Sequence, residues 1–561
     1  MTSSINQARL LSAWLIIFLG TLTYINTFSG DWVWDDASSV LLHENVQNPS
    51  KLTQLYLEDQ HAFAGGQGNF YRPLLSTTFM VDFWLSNQGP TIAESQEVLE
   101  TLSPFIFHLQ STIWHILVAL LMFVLLLRLK TPTFIGLAAA SIYVLHPLHT
   151  EAVTYISGRA DSMSAAFILA GICVALRDGS TLRRQIIRVG LSGLCFTGAL
   201  LSKESAFIYP VLLSLTLWIE PKLTPPRKPM SIKNRYTPVA FALTLIGLYG
   251  LLRMGPLSFS KAAASTPTPF FERVVETLQS FAYYVIMIFN PSHLHMERSL
   301  VDATRSTTLL GCFFLFACIA TIVWAHRSGR IRVAWGLIWF IASWLPISGL
   351  FPLNAPMAEH WLYIPLIGFL PAAMEILFNR NYPVVTFQQT NTYRYVLASV
   401  VFAWGCFLLF QSTIRNDAWS SNTKLYEATL KENPLSTRVQ FNLAVTHQDI
   451  LQNPVGAKRH YNRILDVYAA KKEESLSDQL FDEEIESHFS LGQIYLDELN
   501  FGESYQHFAK VASLQPNDSN RLTVAQSLYG MGRCLSGIGN HRNAQELYKR
   551  AGQLAPELGI N

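Results

Sequence analysis

Apolar blocks of roughly 15 to 24 residues recur along this chain with short polar loops between them, which restricts it to a bundle of membrane-crossing helices. A bilayer core offers no water, so each crossing segment must satisfy its own backbone N–H and C=O groups, and a helix does this alone. Half of the 561 residues are hydrophobic and only 14% are charged. The expected spans are about 10–28, 105–127, 133–150, 161–176, 187–201, 204–219, 236–253, 307–325, 333–349, 360–378 and 395–414, about eleven crossings. The first block imitates a secretory signal, but its only nearby positive charge is Arg9 and no small-x-small cleavage site follows, so it reads as a retained helix.

Orientation follows from the loop charges. Arg128 and Lys130, Arg177 to Arg188, Lys222 to Arg235, Arg327 to Arg332 and Arg380 to Arg394 share one face, which the positive-inside rule makes cytoplasmic. This holds only if residues 254–306, with the apolar stretch 277–290, stay on the far side as an interfacial or re-entrant segment. The N-terminus is then cytoplasmic and the C-terminal tail lies outside. No nucleic-acid footprint is present, and five of the six cysteines lie in apolar runs, so no disulfide framework is implied.

The outer face collects ionisable residues. Asp35 and Asp36 follow the first span, where neighbouring carboxylates raise each other's proton affinity and one can take a proton from a hydroxyl. The long first outer loop, 29–104, also carries Gly65-Gly66-Gln67-Gly68 and Tyr71-Arg72-Pro73-Leu74. Arg72, with its planar fork of donors, suits either a phosphate at headgroup level or ordinary snorkelling to lipid. His146 to Asp161, Lys203-Glu204 and Glu359-His360 complete the set, with a mutual ion pair as the plain reading of Lys203-Glu204. His146-x-x-His149-x-Glu151 has ligand types that suit zinc, but Pro147 interrupts the helix between the imidazoles and no His-Glu-x-x-His frame exists. Loop-bonded imidazoles or contact with a substrate fit those two histidines better.

Past about 419 the composition becomes soluble and helical. Leu491-Gly492, Tyr505, Phe508, Ala512 and Pro516 recur as Met531-Gly532, Gln545, Tyr548, Gly552 and Pro556, an offset of 40 residues with 24 from Gly to Pro. This is the spacing of a tetratricopeptide helix pair. Residues 438–468 read as a degenerate unit, Trp419 to Pro434 as a leading half-unit, and Lys471 to Glu486 as an acidic loop. About three repeats meet the minimum for a stable stack with a concave face. The expected architecture is all-α: a polytopic domain over 1–415 and a repeat domain over 416–561.

Several segments together resemble the transmembrane and tetratricopeptide repeat O-mannosyltransferases and their bacterial relatives. They are Val33-Trp34-Asp35-Asp36, Tyr71-Arg72-Pro73-Leu74, Phe107-His108, the string His146 to Ser162, Ser202-Lys203-Glu204-Ser205 and Ala358-Glu359-His360-Trp361-Leu362-Tyr363. The resemblance implies a GT-C type glycosyltransferase that moves a sugar from a polyprenyl-phosphate donor to a Ser or Thr hydroxyl, with inversion. It implies Asp35 as base and Asp36 as its tuning or cation-binding neighbour, with Arg72, Arg159, Lys203 and His360 for the departing phosphate. Glu151, Asp161 and Glu359 would orient those cations or the sugar, and His146, His149 and Glu204 belong to the same donor-binding set. The resemblance fixes no cofactor; a divalent cation, Mg or Mn, is the candidate, and the metal ligands are unassigned. The family has Arg where this chain has His360, which exchanges a permanent cation for a titratable one. The repeats would gather an acceptor protein, and the short array favours a bacterial inner-membrane protein with its tail in the periplasm.

The competing expectation is a non-enzymatic membrane scaffold whose repeats assemble a pilus, secretion or other envelope complex. A glycolipid or surface polysaccharide acceptor is a closer variant. A transporter fits less well, because the ionisable residues gather at one face and not mid-membrane. Sugar, lipid length, acceptor and oligomeric state are not encoded in any feature above.

Overall fold

The structure, a computed structural model, describes residues 2–61, 69–86, 102–177, 179–223, 230–258, 269–300, 302–351, 353, 355–378, 391–475, 481–517 and 520–559. The Gly65 to Gly68 run lies outside them. The described residues contain helices and turns but no strand, and they divide into two compact units, Met1–Ser421 and Asn422–Asn561.

The first unit is a helical bundle. Its long helices are α1 (Thr2–Tyr24), α2 (Pro73–Ser86), α3 (Phe105–Arg128), α4 (Thr133–Leu145), α5 (Arg159–Ala175), α6 (Leu182–Leu200) and α7 (Tyr209–Leu223). They continue as α8 (Ile232–Met254), α9 (Phe270–Phe289), α10 (Arg305–Arg327), α11 (Ile331–Trp344), α12 (Tyr363–Phe378) and α13 (Asn391–Ala418). Among the described residues seven helical segments are long and apolar enough to cross a membrane: Ile5–Ser29, Phe105–Arg128, Glu204–Leu223, Ile232–Met254, Arg305–Arg327, Glu359–Phe378 and Tyr395–Ala418. Thr133–Leu145 and Ile331–Ile347 are apolar but shorter. Residues 161–176 and 187–201, expected as spans, are helical in α5 and α6, but neither helix is among the seven segments long and apolar enough to cross.

Apolar side chains on the outside of the bundle mark it as a membrane protein. α10 exposes Leu309, Phe313, Phe316 and Ile319 and buries only Gly311 and Ala325, a distribution that lipid solvates and water does not. Helices cross closely where side chains are absent. A Cβ on Gly368 of α12 would overlap the Gly336 carbonyl and the Trp339 side chain of α11, the small-residue contact of membrane helices. α4 stops where Pro147 prevents continuation, and His146 caps the turn that follows, its Nδ1 accepting from the Leu148 N–H at 3.3 Å.

The two ends of the bundle are chemically different. At one, Arg332 binds Glu375 at 2.6 Å and donates to the Lys130 carbonyl, while Arg188 donates to the Ala175 carbonyl at 3.0 Å. These residues belong to the basic loops. At the other end are the acidic and histidine-rich loops. α9, which holds residues 277–289 of the expected 277–290 stretch, is one continuous helix, and the chain meets this second end on both sides of it. Before it, Arg253 donates to the Asn69 carbonyl at 3.0 Å, and after it Arg298 binds Glu359 at 2.7 Å. A segment that returns to the face it left fits the interfacial or re-entrant reading.

The second unit is a run of antiparallel helix pairs: α14 (Asn422–Glu432) leads, then α15 (Thr437–Val445) with α16 (Pro454–Ser475), α17 (Asp482–Asp497) with α18 (Phe501–Ala512), and α19 (Arg521–Gly537) with α20 (His541–Leu554). The 40-residue offset is visible in the turns. Asn500 and Asn540 cap α18 and α20, and the residues just before them, Leu499 and Gly539, have φ of 59° and 82°. Gly492 and Gly532 let the aromatic rings of Phe508 and Tyr548 reach the partner helix.

Two sequence expectations need correction here. Lys471 to Glu486 is not a loop throughout, because α16 continues to Ser475 and α17 begins at Asp482 with Asp482, Glu483 and Glu484 in its first turn. Carboxylates at a helix N-terminus are stabilising, so the acidic run that looked like a linker is partly a helix start. The boundary at 415/416 moves to 421/422, since Arg415, Asn416 and Trp419 are buried in the first unit.

Candidate functional site

The outer loops converge through backbone contacts. Asp31 N–H donates to the Ser420 carbonyl at 2.9 Å and Leu74 N–H donates to the Leu201 carbonyl at 3.1 Å. The first contact ties the Asp35 segment to the end of α13; the second brings Arg72 to Lys203 and Glu204.

Asp35 and Asp36 are adjacent in sequence and opposite in environment. Asp36 is fully buried; its Oδ2 accepts from the Val33 N–H at 3.2 Å and its Oδ1 from the Ser157 N–H at 2.8 Å. It latches the first outer loop onto the loop that follows α4. Burial raises its pKa to about 7, the two backbone donors oppose this, and the charge of Asp35 adds to it. A cation bound to Asp36 would displace one of those donors. Asp35 is only half-buried, and the Tyr155 hydroxyl shares hydrogen bonds with Asp35 and Ser157. Trp34, held at φ 52°, lies near Tyr155, which lies against Trp419, with ring centroids 6.5 and 5.4 Å apart. Tyr155 was not among the residues expected from sequence.

Asp36 makes stability pH-dependent in a defined direction. Its ordinary pKa is 3.8 and its folded value about 7, so between these the native protein holds a proton that the unfolded chain has lost. Its contribution to stability therefore falls as pH rises from about 4 to 7 and is level above that. Thermal unfolding of the purified protein should show this slope, and Asp36→Asn should remove it.

Arg72 donates from Nε and Nη2 to Glu204 Oε2 at 3.2 and 2.9 Å and from Nη1 to Gln60 Oε1 at 3.3 Å. Lys203 Nζ binds Asp161 Oδ2 at 2.6 Å. Lys203 and Glu204 thus take separate partners across loops and do not pair with each other, because a strand-like Lys203 (φ −161°) throws neighbouring side chains to opposite sides. Arg72 also lies within electrostatic reach of Asp161 and Tyr155. His61, which sequence reasoning missed, feels both Asp35 and Arg72; burial lowers its pKa, and the two neighbours pull in opposite directions. Asp35, Tyr155, His61, Arg72, Glu204, Asp161 and Lys203 therefore form one polar cluster.

His360 Nδ1 lies 2.7 Å from Glu151 Oε1. Glu359 is turned away and buried: Arg298 reaches its Oε1 at 2.7 Å, His295 N–H donates to the same oxygen at 2.6 Å, and Arg415 Nη2 donates to Oε2 at 3.1 Å. Its oxygens are committed to the protein.

Three expected donor contacts are structural in this geometry. Arg159 is fully buried, 2.6 Å from Asp82, and donates to Ser111, Thr78, Gln110 and the Phe107 carbonyl, which commits four of its five N–H groups to the protein. His146 is buried with Nδ1 on Leu148 N–H and Nε2 donating to the Ile288 carbonyl at 2.9 Å. His149 is buried among aromatic rings, with Tyr143 and Tyr363 centroids at 4.3 and 4.6 Å. Among the described residues no group of three His, Cys, Asp or Glu side chains is placed to hold a metal ion.

Arg298, Arg415 and Asp82 were also missed. A signal existed for the first two: both are arginines at the face that the positive-inside rule leaves poor in cations, and a misplaced arginine there has a local partner.

Comparison with known proteins agrees with the sequence motifs. The chain is 24% identical over 468 residues to a protein O-mannosyl-transferase of Caenorhabditis elegans, a match covering 80% of this chain and 62% of that protein. It is 23% identical over 513 residues to human protein O-mannosyl-transferase TMTC4, covering 80% and 66%. It is 22% identical over 595 aligned positions to human protein O-mannosyl-transferase TMTC3, covering 97% and 60%. The chain spans about three-fifths to two-thirds of the length of these relatives. No protein-family profile and no solved structure matches it. The resemblance read from the motifs is borne out by relatives that carry that family's name.

Proposed function

We propose that this protein is a membrane glycosyltransferase that transfers a sugar from a polyprenyl-phosphate donor to a Ser or Thr hydroxyl of a protein. The observation that carries the reading is Asp35: a half-buried carboxylate in one polar cluster with Arg72 and Lys203, in a chain similar over most of its length to named protein O-mannosyl-transferases.

In a single displacement, Asp35 takes the proton of the acceptor hydroxyl as its oxygen forms a bond to the sugar C1. The bond from C1 to the phosphate oxygen breaks, and the lipid phosphate leaves with the electron pair. Attack opposite the leaving group inverts the anomeric centre. Charge develops on the phosphate, where guanidinium and ammonium groups stabilise it. Arg72 and Lys203 are already paired with Glu204 and Asp161, so they act as oriented dipoles whose pairing loosens when the phosphate arrives. Tyr155 orients the Asp35 carboxylate. No step in this scheme needs a metal ion.

The helix pairs of residues 422–561 would gather the acceptor. Removal of residues 422–561 tests it. Intact masses of exported proteins should lose their sugar increments while the truncated bundle still extracts as a folded monodisperse species. Unchanged acceptor masses would count against protein capture by the tail.

A further inference from the structure

Two cavities in the second unit, of about 520 and 580 Å³, share Gln493, Leu496 and Arg533 as lining and so form one groove. The lining repeats with the chain. Phe489 and Gln493 on α17 recur as Tyr529 and Arg533 on α19 at the 40-residue offset, and each pair is four residues apart, which places ring and polar group on one face of its helix. Successive helix pairs thus set the same alternation along one line.

The two halves of the groove differ. One is a bowl of rings, in which Phe489 lies 5.8 Å from Phe508 and Tyr529 lies 5.2 Å from Tyr548, centroid to centroid. Gly530 lets the Phe508 ring form the floor, since a Cβ there would overlap it. The other half is lined by carboxamides, Gln493 together with Gln448 and Gln452. Gln448 belongs to a π-helical turn, Thr446–Ile450, of a kind that recurs at functional sites. Its Oε1 accepts from the Tyr461 hydroxyl at 3.1 Å, which fixes the amide and leaves its N–H donors for the groove. Gln493 and Arg533 are exposed and, among the described residues, make no hydrogen bond or ion pair.

The charges of the lining cancel. Arg533 and Asp497 line the same cavity with opposite sign, and Glu498 beside them is held by Lys458 at 2.7 Å, so a strongly acidic or basic ligand gains little. A carboxamide offers an acceptor and two donors, the complement of a peptide group, and the bowl of rings suits an apolar side chain. Sugar hydroxyls would leave the bowl unfilled; a lipid tail would leave the carboxamides unused.

We propose that this groove binds an extended, uncharged peptide segment, its main chain along Gln448, Gln493 and Arg533 and one large apolar side chain in the bowl of Phe489, Phe508, Tyr529 and Tyr548. This rests on the transfer reading above and names the acceptor class: a Ser- and Thr-bearing stretch without charged residues, next to an aromatic residue or Leu.

The test is binding of biotin-tagged peptides of Gly, Ser and Thr with a varied central residue to the purified full-length protein in detergent, read as Kd. Peptides of about nine residues reach about 30 Å when extended, enough to cross both cavities. The wild type should bind the central-Phe peptide about tenfold more tightly than the central-Ala one, and Tyr529→Ala and Gln493→Ala should each weaken the central-Phe peptide about tenfold, the usual loss at a central contact. Both side chains are exposed, so the variants should fold. Equal affinity for central Phe and central Ala, or wild-type affinity in both variants, would overturn the groove assignment. Tighter binding when Asp or Lys flanks the central Phe would contradict the choice of uncharged segments. Absence of peptide binding by a wild type that still passes labelled sugar from the lipid-linked donor to protein would remove the groove and leave the transfer reading standing. Binding as expected without sugar transfer would keep the peptide groove and overturn the transfer reading.

Discussion

Asp35→Asn should lower sugar transfer by about 10²- to 10⁴-fold, the usual contribution of a positioned general base, with little change in the KM for the donor. The protein should remain folded, since Asp35 is half-buried at the edge of the cluster and the latch between the two outer loops is made by Asp36. Asp36→Ala should do the reverse. It strips the Val33 and Ser157 N–H groups of their acceptor in a buried place, so it should reduce the yield and melting temperature of the protein before it alters any chemical step. Kinetics and thermal unfolding measured on the two variants together separate the roles. A loss of fold in Asp35→Asn, or normal folding with lost transfer in Asp36→Ala, would exchange them.

The second large effect concerns Arg159. Replacing it with Ala leaves Asp82 buried and unpaired, along with the Ser111, Thr78 and Phe107 groups that it now bridges. Breaking a buried pair from one side costs about 3–5 kcal/mol, a large share of the stability of most proteins, so Arg159→Ala should yield little folded material. Both side chains of the pair are fully buried, and exchanging the two together for apolar groups of similar volume should recover much of the loss. Arg159→Met with Asp82→Leu is the variant to compare by thermal unfolding. Full stability in Arg159→Ala would mean that Arg159 faces solvent or substrate, as its motif first implied.

These two cases show what the sequence made legible and where it stopped. The class of fold was readable because apolar blocks of membrane length can seldom be buried in any way but as crossing helices, and the repeat offset survives in paired caps at Asn500 and Asn540. The two acidic neighbours were readable as a place to look. Which of them is committed to the fold was not, because that depends on Ser157, 121 residues away in the chain. Motif membership likewise could not separate Arg159, which ties α5 to α2 and α3, and Glu359, which is held by Arg298 and Arg415, from Arg72 and Lys203, which belong to the cluster around Asp35. The sequence offers a charge; the fold decides whether its hydrogen bonds are already used. Asp82 was invisible as a partner because α2 brings it to Arg159 from a segment with no motif of its own. His61 and Tyr155 were missed for a related reason: a lone His or Tyr in a long loop carries no signal until the loop is folded over Asp35.

The acidic run at Lys471 to Glu486 failed differently. Charge density suggested solvent, and the chain uses part of that charge to start α17. Composition identifies exposure well and secondary structure poorly, since the surface of a helix is as polar as a loop.

The central claim is that the outer-face cluster around Asp35 moves a sugar from a lipid phosphate to a protein hydroxyl. The most direct measurement uses the full chain reconstituted in vesicles with a polyprenyl-phosphate sugar labelled in the sugar ring, together with an exported-protein extract as acceptor. Label should appear in protein as an alkali-eliminable Ser or Thr linkage, inverted at the anomeric carbon, and should be absent with Asp35→Asn. Label transferred equally well by Asp35→Asn, or no transfer from the lipid-linked donor by the wild type, would contradict it.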